Sequence, residues 1–278
     1  ITYLSDKLGR LSTVADAQIY EIACLCAETA PTDAARVFSE VSGKPYDSRE
    51  FALFCRLYAR LSKRTDISQF IVSEVAENDD FPDSSGVACM KNRYSEKALE
   101  AFSAAVAVNN IVEVNSFSEA CETVNYGKAK FCILPYSNSA DGVLSSLRRL
   151  IGKYDLKIVS AADVLSDDGE TVTRFTLLSR IIDLRCKSPE YLEISSPIKY
   201  GEQMSRLFSA VDELGVSITQ ITTEPLQYSD DESLFGMVMR MNGCNIYAVV
   251  MFLFYAFPRY GLHGQYEVIN HNYKGETK

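Results

Sequence analysis

Hydroxyls, amides and guanidiniums are the groups this sequence offers for chemistry, more than imidazoles or thiolates. The stretch Leu134-Pro135-Tyr136-Ser137-Asn138-Ser139-Ala140-Asp141-Gly142 follows an apolar run, Ala129 to Leu134, that reads as a strand. A helix is expected to follow from about Val143. In open α/β sheets ligands sit at the carboxyl ends of strands, and a helix N-terminus there offers unpaired amides to an anion. Asn138 also has the simpler reading of a turn former whose side chain caps that helix. Thr173-Arg174-Phe175 opens a second β-rich run, where Thr173 suits a strand as a β-branched residue and Arg174 is expected to pair with the acidic turn of Asp167, Asp168 and Glu170. The only histidines are His263 and His271, both near the end, so no histidine base is at hand in the middle of the chain. Of eight cysteines only Cys24 and Cys26 lie close together, without zinc-ligand spacing. Buried, reduced thiols and no metal are expected.

The elements that would position these groups fall into three blocks. Residues 1–80 read as helical, with apolar positions Ile19, Ile22, Ala23, Cys26 and then Phe51, Leu53, Phe54, Leu57, Leu61 at helical spacing. Pro31-Thr32 and Gly43-Lys44-Pro45-Tyr46 break the block into short helices, with Thr32 or Asp33 as the cap of the second. Arg49, Arg56, Arg60 and Lys63 share one helical face, either a solvated stripe or a surface for an acidic partner. An acidic, turn-rich stretch from Glu77 to Gly86 reads as a linker. Residues 86–188 alternate strand and helix, which predicts a mainly parallel α/β sheet. Residues 190–278 run strand, helix, strand, strand, helix, strand, the ferredoxin-like order. The run Ile246 to Phe257 is apolar beyond what one buried helical face requires, and burial inside its own domain is the plain reading.

The 278 residues are 47% hydrophobic and 23% charged, the balance of a globular chain of two or three domains. A net charge of −9 counts against nucleic acid as a partner. The longest apolar run is too short to span a bilayer, and no signal-peptide pattern opens the chain, so no membrane association and a cytoplasmic location are expected.

In this order the motifs resemble the bifunctional chorismate mutase and prephenate dehydratase enzymes of phenylalanine biosynthesis. Arg93-Tyr94-Ser95-Glu96-Lys97-Ala98 is similar to the family's opening phosphate-loop-like motif, with Met90, Lys91, Asn92 and Arg93 where glycines and proline belong. Pro135 to Gly142 resembles its PIEN segment with Ser137 in place of the glutamate, and Thr173-Arg174-Phe175 matches its TRF signature. The resemblance implies an α+β multidomain chain: an all-α chorismate-mutase-like domain (1–80), a single-lobe α/β dehydratase-like domain (86–188) and a C-terminal ferredoxin-like ACT domain (190–278). The interval between Asn138 and Thr173 is too short for the family's second lobe. By resemblance Thr173 is the catalytic proton donor, and Ser95, Asn138, Ser139, Arg174 and Phe175 bind substrate. Gln203 and Met204, with Thr222 and Thr223, stand where the family's GAL and ESRP motifs hold a regulatory amino acid, and acidic Glu202 replaces a glycine there. Tyr46-Asp47-Ser48-Arg49-Glu50 resembles the mutase YDxxRE motif, but Cys26 and Val37 stand where the mutase has cations, which implies no mutase activity. These departures imply a degenerate relative that binds a prephenate-like or amino-acid ligand with little or no turnover; an active dehydratase making phenylpyruvate, CO2 and water is the alternative. No cofactor is implied, and a homodimer through the ACT domain is.

Overall fold

The structure, a computed structural model, describes residues 2–71, 85–103, 106, 108–186, 188–199, 201–226 and 232–270. His271 and most of the expected linker from Glu77 to Gly86 lie outside them. The first elements are α1 (Thr2–Cys26), α2 (Pro31–Ser42), α3 (Arg49–Ser62), β1 (Ser85–Met90), α4 (Arg93–Phe102), β2 (Val108–Val114), α5 (Phe117–Asn125), β3 (Phe131–Asn138), β4 (Gly142–Val143) and α6 (Ser145–Lys153). Then come β5 (Lys157–Leu165), β6 (Val172–Ser179), β7 (Tyr191–Lys199), α7 (Glu202–Leu214), β8 (Ser217–Pro225), β9 (Glu232–Arg240), α8 (Ile246–Ala256), β10 (Gly261–Tyr266) and β11 (Val268–Asn270). Among the described residues no helix is long and apolar enough to cross a membrane.

The three sequence blocks are distributed over two compact units. One comprises Ile1–Val72, Lys187–Pro189 and Glu193–Leu262; the other comprises Ser73–Cys186, Glu190–Leu192 and His263–Lys278.

In the first unit the N-terminal helices and the βαββαβ run share a core. β7, β9 and β8 lie side by side in that order and β10, of which Gly261 and Leu262 belong to this unit, lies beside β7, so the first strand of the run lies between the fourth and the third, as in ferredoxin-like folds. α3 buries Phe51, Phe54 and Tyr58. Phe51 meets Phe252 and Tyr255 of α8 at ring separations of 6.3 and 5.9 Å, and Tyr58 meets Tyr247 at 6.4 Å. Residues Ile246 to Leu253 are all buried, which accounts for a helix apolar around its whole circumference. Three sequence expectations are corrected in this unit. The first helix is long, not short. The cap of α2 is Ala30, with Pro31 at the first helical position, where its missing N–H costs nothing. The cationic stripe is not free: Arg49 and Arg56 both grip Glu213 of α7, at 2.7 and 2.6 Å, so the acidic partner lies in the same chain.

The second unit is a mixed sheet covered on both faces. β2, β1 and β3 run parallel, but β6 is antiparallel to both β3 and β5, and β11 joins β5 in parallel. The expectation of a mainly parallel sheet is corrected accordingly: β5 turns straight back into β6 through residues 166–171, and a hairpin must be antiparallel. Val87 and Cys89 pack under α4 while Ala88 packs under α5. Such alternate burial on two faces explains why β1 and β3 read as continuous apolar runs.

Candidate functional site

The site is built where β1 and β3 end. Met90 closes β1, and two residues later Asn92 caps α4, its side-chain oxygen accepting the Ser95 amide at 2.9 Å. Capping satisfies that amide but leaves the N–H groups of Arg93 and Tyr94 without an intrahelical acceptor. Opposite them stand β3 and β6. Tyr136 is an extra residue in β3, since Pro135 pairs with Phe175 but the next pair is Ser137 with Arg174. Proline, lacking an N–H, is at home beside such a bulge. The bulge also carries a consequence for geometry: Pro135 and Asn138, three apart and so on opposite faces of a regular strand, now face the same way.

These elements enclose a cleft of about 500 Å³. Its polar lining is Asn92, Ser95, Asn138, Ser166, Thr171 and Thr173, and its apolar lining is Met90, Tyr94, Phe117, Pro135 and Phe175. Thr173 and Phe175, two apart in β6, share its cleft face, and Thr171 immediately precedes the strand. Asn138 and Thr173 are direct cross-strand partners, and the Asn138 amide donates to Thr173 Oγ1 at 3.0 Å. The threonine oxygen is therefore an acceptor inside the protein, and its own O–H remains to donate outward. Ser95 is fully buried, and its Oγ has no hydrogen-bond partner. Among the described residues no carboxyl, imidazole, ammonium or guanidinium group is in the lining, so the groups described there can hold and orient an oxygen but include no strong base.

Of the residues singled out by sequence, the cleft gathers Ser95, Asn138, Thr173 and Phe175. Arg174 and Ser139 are not in its lining. Arg174 alternates to the other face of β6, where it holds Asp163 through Nε and Nη2 at 2.8 and 2.9 Å and lies 5.3 Å from the centre of the Tyr191 ring. This corrects the expected pairing with the acidic turn: Asp163 is the direct cross-strand neighbour of Arg174. The Asp163 carboxylate holds the guanidinium proton more tightly still, raising its pKa despite burial. The acidic turn instead binds α4, with Asp167 taking Arg93 at 2.6 Å and Lys97 at 2.7 Å. Those contacts, led by the bond from Lys97, hold the Asp167 carboxyl below its ordinary pKa.

Ser139 is spent on strand pairing, its Oγ accepting the Val172 amide at 3.0 Å. The helix expected from Val143 begins at Ser145, after β4 has folded back on β3. Asn138 therefore caps no helix, and its carbonyl oxygen accepts the Ala140 amide at 2.8 Å to shape the turn. In the other unit Gln203 accepts the Lys199 amide at 2.8 Å, and Thr222 donates to the Gly236 carbonyl at 3.4 Å. Met204 is half-buried and Thr223 pairs with Phe235. Sequence reasoning missed Asn92 as a site residue; an asparagine three residues ahead of Ser95, at the start of an apolar-periodic run, is the cap signal that marks it. Among the described residues no three His, Cys, Asp or Glu side chains gather as a metal site.

No protein-family description and no curated protein matches this chain. Several solved structures are similar, among them the following three. GqqA, described as a novel type of quorum quenching acylase, is 18% identical over 65% of this chain and 94% of its own, with a TM-score of 0.51. Prephenate dehydratase from Streptococcus mutans is 18% identical over 66% of this chain and 99% of its own, at 0.53. Prephenate dehydratase from Arthrobacter aurescens, solved in complex with L-Phe, is 14% identical over 66% and 90%, at 0.50. At such identities the likeness is one of fold: the chain has an α+β fold resembling prephenate-dehydratase-fold proteins.

Proposed function

We propose that this chain is a degenerate prephenate-dehydratase-like protein that binds a small carboxylate in the Ser95–Asn138–Thr173 cleft with little or no turnover. The observation that carries the reading is the meeting of three sequence-distant polar residues in one cleft that has donors but no acid–base pair. Its fold-level support is the likeness to two prephenate dehydratases. In this reading Thr173 is the central ligand donor and Asn138 fixes its orientation. The N-terminal helices are a chorismate-mutase-like bundle without mutase activity. Their Asp47 and Arg49 are already engaged, with Arg206 at 2.9 Å and with Asp16 and Glu213. The βαββαβ run is an ACT-like module through which two chains pair, with Gln203, Met204, Thr222 and Thr223 around its altered ligand position.

An active dehydratase is the second reading, favoured by the outward-directed Thr173 O–H. An acylase chemistry like that named for GqqA has less support, because neither the Ser95 nor the Thr173 hydroxyl has a base in the cleft to activate it. Purified protein incubated with prephenate, with phenylpyruvate followed over time, separates the first two. The expected result is no formation above the spontaneous rate in wild type or in Thr173→Ala. Turnover in wild type that Thr173→Ala abolishes establishes the enzyme instead.

A further inference from the structure

The charge around the cleft narrows the ligand, given the binding role proposed above. We infer that the cleft takes a monocarboxylate with a flat apolar body, an arylalkanoate, and discriminates against dicarboxylates such as prephenate. The Ser95 and Thr173 hydroxyls both line the cleft, where each can donate to one carboxylate, and Tyr94, at the start of α4, lines it beside them. Ser95 is the telling group, since a fully buried hydroxyl without a partner is rare in folded proteins and a ligand oxygen completes it. The helix N-terminus adds partial positive charge there. Met90, Phe117, Pro135 and Phe175 make the remaining wall, which suits an aromatic ring.

A second carboxylate finds no such reception. Among the described residues no lysine or arginine is in the lining. Arg93 and Lys97, on the same helix as Tyr94 and Ser95, already share Asp167, and the same turn carries Asp168 and Glu170, so that turn has three carboxylates against two cations. Arg174, the remaining cation of β6 next to Thr173, is held by Asp163 on the opposite face. A second negative charge is left to an apolar wall or to like charges, both of which oppose it.

The test is a calorimetric and amide-NMR titration of the full chain with three probes sharing one ring: 3-phenylpropionate, 2-benzylsuccinate and 3-phenylpropanol. The expected outcome is saturable binding of 3-phenylpropionate, with the dicarboxylate and the alcohol each about tenfold weaker or more. Ser95→Ala, which suits a helix, is expected to weaken 3-phenylpropionate about five- to tenfold with an unchanged melting curve, and Thr173→Val to weaken it by a similar factor while lowering the melting curve, because it also removes the acceptor of the Asn138 amide. Equal or tighter binding of 2-benzylsuccinate overturns the charge selectivity while leaving the binding role standing. Equal binding of the alcohol, or indifference to Ser95→Ala, overturns the carboxylate site. Failure of all three probes to bind overturns the binding role itself.

Discussion

Thr173 and Arg174 are adjacent in sequence and opposite in use, because a strand sends successive side chains to opposite faces. Thr173 meets Asn138 and opens to the cleft, while Arg174 is closed off by Asp163. Asn138→Ala removes two hydrogen bonds at once, to Thr173 and to the Ala140 amide. It is expected to cost about 1–2 kcal/mol in urea unfolding and to weaken cleft ligands. His263 supplies a pH prediction. Burial, with help from the Lys157 and Arg148 charges and against Asp155, pushes its pKa down to about 4 from an ordinary 6.5. Between those values the unfolded chain binds more protons than the folded one, so stability falls as pH drops from about 6.5 toward 4. Above 6.5 the contribution is flat. His263→Gln is expected to remove on the order of 1–2 kcal/mol of that pH dependence, read from urea midpoints at about pH 7 and about pH 4.5.

At the scale of elements, the positions of most strands and helices are legible in the sequence because apolar period and turn residues mark them locally. Legibility fails where a long-range pairing decides the outcome. Val143 reads as a helix start, yet Gly142 and Val143 pair with β3 and delay α6 to Ser145. Arg174 has three acids in the nearby turn, yet strand register gives it Asp163, which no local pattern reveals. Ser95, Asn138, Thr173 and Phe175 are found through motif resemblance, and the bulge at Tyr136 that aligns two cleft residues is marked in sequence only by the proline before it. The approach of β10 to β5 is equally silent in sequence. A Cβ on Gly264 would lie 2.6 Å from the Ile158 carbonyl oxygen, a backbone atom that cannot swing aside. Gly264→Ala is expected to destabilise the protein by about 1–3 kcal/mol, seen as a lower urea midpoint.

On the scale of the whole molecule, three sequence blocks become two compact units, both of them discontinuous in the chain. For the first unit the reason is the apolar face of α3: Phe51 and Tyr58 are completed by Phe252 and Tyr247 of α8, far along the chain. Residues 1–80 read as an independent domain because a helical period shows that a face is buried without showing what buries it. The isolated fragment 1–80 is expected to lack cooperative thermal unfolding by circular dichroism; a sharp two-state transition contradicts the shared core. Glu213→Ala leaves Arg49 and Arg56 without their common carboxylate and is expected to cost about 1–2 kcal/mol in the full chain. The most direct test of the central claim is where a ligand binds, mapped by amide chemical shifts on titration with 3-phenylpropionate. Saturable shifts are expected at Arg93, Tyr94, Ser95, Asn138 and Thr173. Shifts confined to Gln203, Met204, Thr222 and Thr223 contradict the claim.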